Sequence, residues 1–301
     1  MNLSIVDAHT HFFSYNWFHQ FYQLSEDRFT DGGVEAVAGY LGWELPSPDA
    51  HELGKRWVEE QKRVGLKRQV LFASTAHDAE HLTAAVRVNP DRLIGFVMID
   101  PTEPDARNRT HYALHILDLK GILLFPAMHH FHVFDEMLIP IYEEAYSAGA
   151  PVFIHFGQLR IPVFQKLGLP DNIDLTYSNP TDLQSVAKEY ESVNFIIPHF
   201  GGGRFDEALS VAVKNSNVYF DTSSSNSWIQ PSLTLEDVFR RTLDAIGAHR
   251  ILFGTDSSFF PRGWRSKIFQ AQLEVLEKLG INEDEKAMIF GENIDRLLGL
   301  K

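Results

Sequence analysis

The stretch Ile5-Val6-Asp7-Ala8-His9-Thr10-His11 decides the fold that this sequence predicts. Its apolar and β-branched residues favour a strand, and successive side chains of a strand point to opposite faces. His9 and His11 therefore project to the same side. Two imidazoles on one face are either a pair of metal ligands or a hydrogen-bonded pair at a strand end, and the rest of the chain decides between these alternatives.

Seven more apolar runs follow, each closed by polar or turn residues, and helical patterns separate them. Counting the first, the predicted strands cover residues 3–9, 69–74, 93–100, 119–126, 150–157, 193–200, 217–223 and 250–256. The predicted helices cover residues 55–64, 79–88, 105–117, 135–147, 181–191, 204–214, 235–246, 265–279 and one or two segments of 283–298. Apolar strands that alternate with helices predict a (β/α)8 barrel, a TIM barrel of the α/β class. No linker divides the chain, so we expect residues 1–301 to form a single domain.

A long insert, residues 12–67, follows the first strand. Its first part is dense in aromatic residues, among them Phe13, Trp17 and Phe21. Because these residues come directly after the His-x-His motif, we expect the insert to form a wall or a lid of the pocket. The alternative is a small satellite core beneath a loop.

The composition argues against several kinds of protein. The 301 residues are 44% hydrophobic and 12% aromatic, which is enough for one large core. The chain has no cysteine, so disulfides, thiolate ligands and a cysteine nucleophile are excluded. The net charge is -13, from 40 acidic and 27 basic residues. This balance disfavours a nucleic-acid partner, because phosphate contacts need clustered Lys and Arg.

The hydropathy of the chain gives no sign of a membrane segment. No apolar run approaches the roughly 20 residues of a membrane span. The N-terminus lacks the basic flank and apolar core of a signal peptide. We therefore expect a cytoplasmic protein.

Three later strands end on residues that a metal site uses. The fifth ends on His155, the sixth on His199 and the eighth on Asp256. In a (β/α)8 barrel the carboxyl ends of the strands meet at one mouth, where the active site lies. The occurrence of such residues on four strands, with His9 and His11 on the first, favours a metal site over separate structural roles.

The sequence resembles the amidohydrolase superfamily, and within it the branch that includes aminocarboxymuconate-semialdehyde decarboxylase, other non-oxidative aromatic decarboxylases and lactone hydrolases. The resemblance covers almost the whole chain. It rests on Val6-Asp7-Ala8-His9-Thr10-His11, Ile197-Pro198-His199-Phe200-Gly201-Gly202-Gly203, Ile251-Leu252-Phe253-Gly254-Thr255-Asp256 and residues 291–300. The last segment is similar to the family's closing Asn-Ala-x-Arg-Leu-Phe pattern, with Ile294 in place of the usual Ala.

The resemblance implies a role for each motif residue. The implied ligands of one divalent metal ion, with zinc expected, are His9, His11, His155 and Asp256. His199 would stand beside the metal, where it polarises a substrate carbonyl or moves a proton. Such a donor set leaves room for a water whose pKa zinc lowers to about 7, and Asp256 would also accept the proton of that water.

The fourth strand bears on the metal count. Many dinuclear members of the superfamily carry a carboxylated lysine or a glutamate at the carboxyl end of this strand. Here that end is Leu124-Phe125-Pro126, and Lys120 lies at the opposite end of the strand. We therefore predict a single metal ion.

Members of this branch often act on carboxylated substrates, which an arginine near the mouth would bind. The candidates on predicted βα loops are Arg160, Arg204 and Arg262, with Arg204 directly after the glycine run that follows His199. Trp17 and Trp228 are candidates for stacking on a planar ligand. A surface position for each arginine, or a loop cluster for each tryptophan, is the alternative.

Two reactions stay open. In the first, the metal-activated water attacks an amide, ester or lactone; in the second, an aromatic or muconate-like acid loses CO2 without oxidation. His-x-His occurs in both groups, so the motif does not separate the two reactions. Hydrolysis is the preferred prediction and decarboxylation the alternative, with hydration by the same metal-activated water ranked below both. A barrel that only binds a ligand is a third hypothesis, but it predicts a damaged ligand set, whereas all the motif residues are present. The resemblance also makes a homodimer plausible.

Overall fold

The computed structural model of the protein describes residues 3–29, 32–224, 232–258 and 263–300. One sheet holds eight strands in sequence order, and every neighbouring pair is parallel. The strands are β1 (Val6–Phe12), β2 (Arg68–Ala73), β3 (Leu93–Met98), β4 (Gly121–Leu124), β5 (Val152–Ile154), β6 (Phe195–Ile197), β7 (Val218–Asp221) and β8 (Ile251–Leu252). All carboxyl ends therefore lie at the same edge of the sheet.

Backbone contacts between β1 and the segment after β8 close the sheet. The amide of Ala8 donates to the carbonyl of Phe253 at 2.8 Å, and Thr10 forms a parallel bridge with Ser257. The prediction of a (β/α)8 barrel is confirmed. Closure also brings β1 next to the segment after β8, and these two parts of the chain carry three of the four predicted metal ligands, His9, His11 and Asp256.

Helices lie between the strands. The described helices are α1 (Tyr15–Leu24), α2 (Gly33–Leu41), α3 (Ala50–Val64), α4 (Ala79–Val86), α5 (Ala106–His111), α6 (Pro126–His129), α7 (Ile139–Ala148), α8 (Pro162–Leu167), α9 (Leu183–Glu189), α10 (Phe205–Lys214), α11 (Leu235–Ile246), α12 (Ser266–Lys278), α13 (Glu283–Ala287) and α14 (Asn293–Leu297). None of them has the length and apolar character that crossing a bilayer requires. The expected cytoplasmic location stays a prediction.

Capping explains where the helices differ from the prediction. Helix α3 begins at Ala50, before the predicted start at 55, because the Asp49 side chain accepts a hydrogen bond from the amide of His51 at 2.8 Å. The helix predicted for 105–117 is α5 followed by a π-helical turn, Tyr112–Ile116.

The first two strands are displaced by a few residues from their predicted positions, and the other six are shorter than predicted. Left-handed turns at the barrel mouth follow β6 and β8. After β6 the chain enters a short 3-10 turn in which His199 and Phe200 have φ values of 55° and 49°. Asp256, after β8, has a φ of 55°. Residues other than glycine rarely adopt this left-handed region, and such strain concentrates at functional sites. The turns therefore point to the mouth as the site.

The strands are buried on both faces. A cluster fills the barrel interior, with Phe72, Phe96 and Phe153 among its members. A larger cluster packs the outside of the strands against the helices. This arrangement explains the continuously apolar strand sequences, because parallel strands covered by helices need apolar side chains on both faces.

Candidate metal centre

The first strand and the segment after β8 bring three donor groups together. Nε2 of His11 lies 3.0 Å from Oδ1 of Asp256, and Nε2 of His9 lies 3.7 Å from the same oxygen. The amide of Asp256 donates to the carbonyl of His9 at 3.0 Å, which fixes the backbone. One ligand atom from each of these three residues lies within 4.8 Å of the others. The predicted convergence of the first and eighth strands is therefore present.

Asp221, the last residue of β7, lies behind His9. Its Oδ1 is 3.3 Å from Nδ1 of His9, and the Ser223 hydroxyl is 2.7 Å from the same nitrogen. Burial works to lower the pKa of His9, but the charge and hydrogen bond of Asp221 outweigh burial and raise that pKa above its ordinary value. The two partners orient the ring so that Nε2 faces Asp256.

A second group of donors, His9, His199 and Asp221, also lies within 4.8 Å. Asp221 and the Ser223 hydroxyl already engage the Nδ1 edge of His9. A ring nitrogen bound in this way is typical of a metal-ligating histidine whose other nitrogen holds the ion. The arrangement therefore favours a metal position on the Nε2 edge, between His9, His11 and Asp256.

His155 and His199 form a buried pair beside these donors. Their Nε2 atoms are 3.2 Å apart. Burial lowers the pKa of His199 to about 4 and holds the pKa of His155 well below its ordinary value. Both rings are therefore neutral at neutral pH.

The tautomer of His199 follows from its partner. Its Nδ1 lies 2.6 Å from the backbone carbonyl of Ser223. A carbonyl only accepts, so Nδ1 carries the hydrogen and Nε2 of the neutral ring is left as an acceptor. His199 is thus arranged to take up a proton at Nε2.

Asp256 is ionised at neutral pH. Burial works to raise the pKa of its carboxyl group, but the hydrogen bond and charge of His11 outweigh burial and hold that pKa well below its ordinary value. The Ser224 hydroxyl donates to Oδ2 at 2.8 Å, and Arg265 donates in turn to Ser224 at 2.8 Å. The Arg265 guanidinium itself lies 3.7 Å from Oδ2.

Asp7 joins the first strand to the segment after β8. It accepts hydrogen bonds from the Thr255 hydroxyl at 2.5 Å and from the Trp264 indole at 2.8 Å. The amide of His9 donates to the same carboxyl group at 3.1 Å. Complete burial raises the pKa of Asp7 to about 6 in spite of these bonds. Asp7 therefore positions the backbone that carries His9.

The mouth opens into a cavity of about 380 Å³. His11, His155, His199 and Asp256 line it, together with Arg160, Lys166 and Arg265. The apolar lining includes a stack from the insert, in which Phe13 and Trp17 lie 4.3 Å apart and Trp43 lies 5.9 Å from Trp17, measured between ring centroids. The cavity thus joins a polar floor to an aromatic wall.

The candidate substrate contacts divide into three groups. Trp17 and Arg160 line the cavity. Arg204 lies at the start of α10, where its guanidinium is 3.7 Å from Glu207, and the structure does not place it among the described lining residues. Trp228 and Arg262 fall outside the described residues.

Sequence reasoning missed four residues around the site: Asp7, Asp221, Ser223 and Arg265. Asp221 had a recognisable signal, since it is a carboxylate that closes the seventh apolar strand. Arg265 had none, because it lies beyond the last strand, although it lines the cavity and contacts Ser224 and Asp256.

The donor set fits a divalent metal ion. Imidazole nitrogens and a carboxylate oxygen are the ligands that zinc and related transition ions take in proteins. His9 and Asp256 are mostly buried, which restricts their geometry before any ion binds. The surrounding protein therefore holds these two donors close together.

One curated protein is related to part of the chain. Protein fluG of Emericella nidulans is 34% identical over 101 residues, which are 33% of this chain and 12% of that protein. The chain thus spans only a small part of the length of this curated relative.

Two solved structures share the fold at low identity. A probable 2-pyrone-4,6-dicarboxylic acid hydrolase from Acinetobacter baumannii, with citric acid bound, is 15% identical over 100% of both chains, with a TM-score of 0.62. A 5-carboxyvanillate decarboxylase from Novosphingobium aromaticivorans, with bound manganese and 3-methoxy-4-hydroxy-5-nitrobenzoic acid, is 15% identical, with a TM-score of 0.66 and coverage of 99% of this chain and 97% of that one.

The family model described as amidohydrolase matches residues 6–300, nearly the whole chain. The matched region includes the His-x-His motif of β1, the histidines after β5 and β6, and Asp256 after β8. The chain belongs to the amidohydrolase family.

Proposed function

We propose that this protein is a hydrolase dependent on one divalent metal ion, acting on an amide, ester or lactone of a small carboxylated molecule. The observation that carries the proposal is the convergence of His9, His11 and Asp256, of which His11 and Asp256 line the cavity. These residues and His155 would hold the metal. We propose zinc, because a site rich in imidazole suits this ion.

The bound ion would polarise a carbonyl oxygen and lower the pKa of water. Residues of the chain would supply the negative charge beside the ion and the proton transfer. Asp256, ionised and held by His11 and Ser224, keeps a negative charge at the floor of the cavity. In the proposed reaction the water oxygen bonds to the carbonyl carbon, the bond from that carbon to nitrogen or oxygen breaks, and one water proton passes to the leaving group.

His199 is the proposed carrier of that proton. Its Nε2 is an acceptor in the neutral ring, because Nδ1 donates to the Ser223 carbonyl. Burial keeps the ring neutral at working pH, so a proton taken from water is readily given to the leaving group. Of the two roles that the family resemblance implied, this geometry favours proton movement over carbonyl polarisation.

The cavity lining supports an anionic, partly apolar substrate. Arg160, which follows β5, and Arg265, which follows β8, both line the cavity. The guanidinium group of either one could bind a substrate carboxylate. Phe13, Trp17 and Trp43, all from the insert 12–67, form the proposed pocket wall on which a planar group would stack.

Non-oxidative decarboxylation is the second candidate. The manganese-containing decarboxylase of similar fold was solved with a nitrobenzoic acid, and the aromatic wall and arginines of this cavity would also accept a carboxylated ring. In that reaction the bond between ring carbon and carboxylate breaks and a proton replaces CO2. His199 would then supply the proton.

One experiment separates the two reactions. The purified protein is incubated with lactones and with carboxylated aromatic or muconate-like acids in water enriched in ¹⁸O, and bound metal is measured on the same sample. A hydrolase places one ¹⁸O in the product acid and releases no CO2, whereas a decarboxylase releases CO2.

Asp256→Asn is the inactive variant for this experiment. It keeps the side-chain shape, and asparagine tolerates the φ of 55°. Loss of nearly all turnover and of bound metal is expected. Unchanged activity in this variant, or no metal in the wild-type protein after reconstitution, would overturn the proposal.

A further inference from the structure

A second cluster of metal-binding side chains lies on the outer helices. His111 is the last residue of α5, His115 lies in the π-helical turn after it, and Glu144 belongs to α7. Nδ1 of His111 is 3.0 Å from Oε2 of Glu144, and Nε2 of His115 is 3.1 Å from the same oxygen. One ligand atom from each residue lies within 4.8 Å of the others.

The backbone holds these side chains in place. Residues four apart on a helix share a face, so His111 and His115 lie side by side, with ring centroids 4.7 Å apart. Glu144 comes from the neighbouring helix and its side chain is only 13% exposed, whereas that of His111 is 55% exposed. The Glu144 carboxylate is therefore held by the surrounding protein, whereas both imidazole rings are partly exposed and can be reached by an ion from solvent.

The two carboxylate oxygens of Glu144 have different neighbours. Arg107 approaches the other oxygen of Glu144, with Nε 3.8 Å from Oε1. The second oxygen, Oε2, faces both imidazoles, 3.0 Å from His111 and 3.1 Å from His115.

We propose that His111, His115 and Glu144 form a second divalent metal site, which joins α5 to α7 on the outside of the barrel. Two imidazoles and a carboxylate are the three-ligand set of many zinc sites, in which solvent completes the coordination. In this cysteine-free chain no thiolate competes for the ion, and the nitrogen-rich donors select zinc and its transition-metal neighbours over magnesium or calcium.

This site is separate from the proposed catalytic centre. None of its three residues is among the described residues that line the cavity. They lie on helices that follow β3 and β4, whereas His9, His11 and Asp256 lie on β1 and after β8. Zinc at the outer site would therefore bind whether or not the catalytic proposal holds.

The test counts bound zinc. The full-length protein is stripped with a chelator and dialysed to equilibrium against a fixed, buffered concentration of free zinc. Wild type is expected to bind one equivalent more than His111→Gln, His115→Gln or Glu144→Gln. The matched control is His51→Gln, because His51 is an exposed helical histidine outside both sites, and this variant is expected to bind as much zinc as wild type.

Two further variants keep the outcome interpretable. His11→Gln removes a proposed ligand of the catalytic ion and is expected to lose a different equivalent, so the double variant His11→Gln/His111→Gln loses both. Zinc is also expected to raise the midpoint of thermal unfolding less in His111→Gln than in wild type, because the ion no longer joins the two helices. The proposal is overturned if the His111, His115 and Glu144 variants bind as much zinc as wild type.

Discussion

Nδ1 of His9 lies 3.3 Å from Oδ1 of Asp221, and Gly254 fits between the strands that carry them. A Cβ added to Gly254 would overlap Oδ2 of Asp221 and lie 2.8 Å from Cβ of His9. The absence of a side chain at this position therefore allows the contact between the histidine and the carboxylate.

Gly254→Ala is expected to displace His9 and Asp221 and to reduce both bound metal and turnover. Metal analysis and circular dichroism on the purified variant check this. Gly39→Ala is the matched control, because a Cβ at Gly39 meets nothing within 4 Å. A Gly254→Ala protein with wild-type metal content would mean that the metal does not depend on the orientation of His9.

Asp221→Asn is expected to weaken metal affinity by about 10- to 100-fold, the usual effect of losing the partner of a metal-ligating histidine. In the metal-free protein the variant should also lower the pKa of His9, because burial is no longer opposed by the charge of Asp221. Competition with a chromophoric chelator measures the affinity, and histidine NMR titration measures the pKa.

Asp244→Asn, on the exposed face of α11, serves as the control for Asp221→Asn. It removes the same charge at a distance from the site and should leave both quantities unchanged. Equal affinity in Asp221→Asn and wild type would remove Asp221 from the metal centre.

His199→Asn is expected to reduce kcat by about 10²- to 10⁴-fold, the range for loss of a proton-transfer group, while the metal content stays near that of wild type. Asparagine suits the left-handed backbone at this position. His130→Asn is the matched control, because His130 is an exposed histidine with the same φ of 55°. Loss of the metal in His199→Asn would instead identify His199 as a ligand.

Asp78→Asn tests a buried carboxyl group that follows β2 and contacts the insert through Asn16. Burial raises the pKa of Asp78 to about 6, in spite of hydrogen bonds from Ser14 and Asn16. Because the folded-state pKa is above the unfolded value, the stabilising contribution of the protonated carboxyl is present below about pH 4 and is lost as the pH rises through 6. Asparagine does not titrate, so the variant does not lose this contribution. The difference in free energy of unfolding, variant minus wild type, should therefore increase between pH 4 and 7.

The upper limit of that rise is about 3 kcal/mol, from the difference between the two pKa values. Denaturant unfolding of both proteins at several pH values measures it. Asp7 also has a raised pKa, but it is common to both proteins and cancels in the comparison. A difference in stability that does not change with pH would contradict the raised pKa.

The sequence alone determined the barrel and its family. Alternation of apolar strands with helices is a local pattern, and each strand can be recognised without knowing its neighbours, so the eight-stranded order followed directly. The His-x-His motif predicted that His9 and His11 share a face, because strand geometry has a period of two. Strand boundaries were less accurate, since the left-handed turns at His199 and Asp256 depend on contacts outside each strand.

Only the tertiary structure decided which polar residues surround the site. Asp221 reaches His9 from a strand 212 positions away in sequence, and Arg265 reaches Asp256 through Ser224. Closure of the barrel between β1 and β8 creates these relationships, and a contact made by closure has no local pattern in the chain.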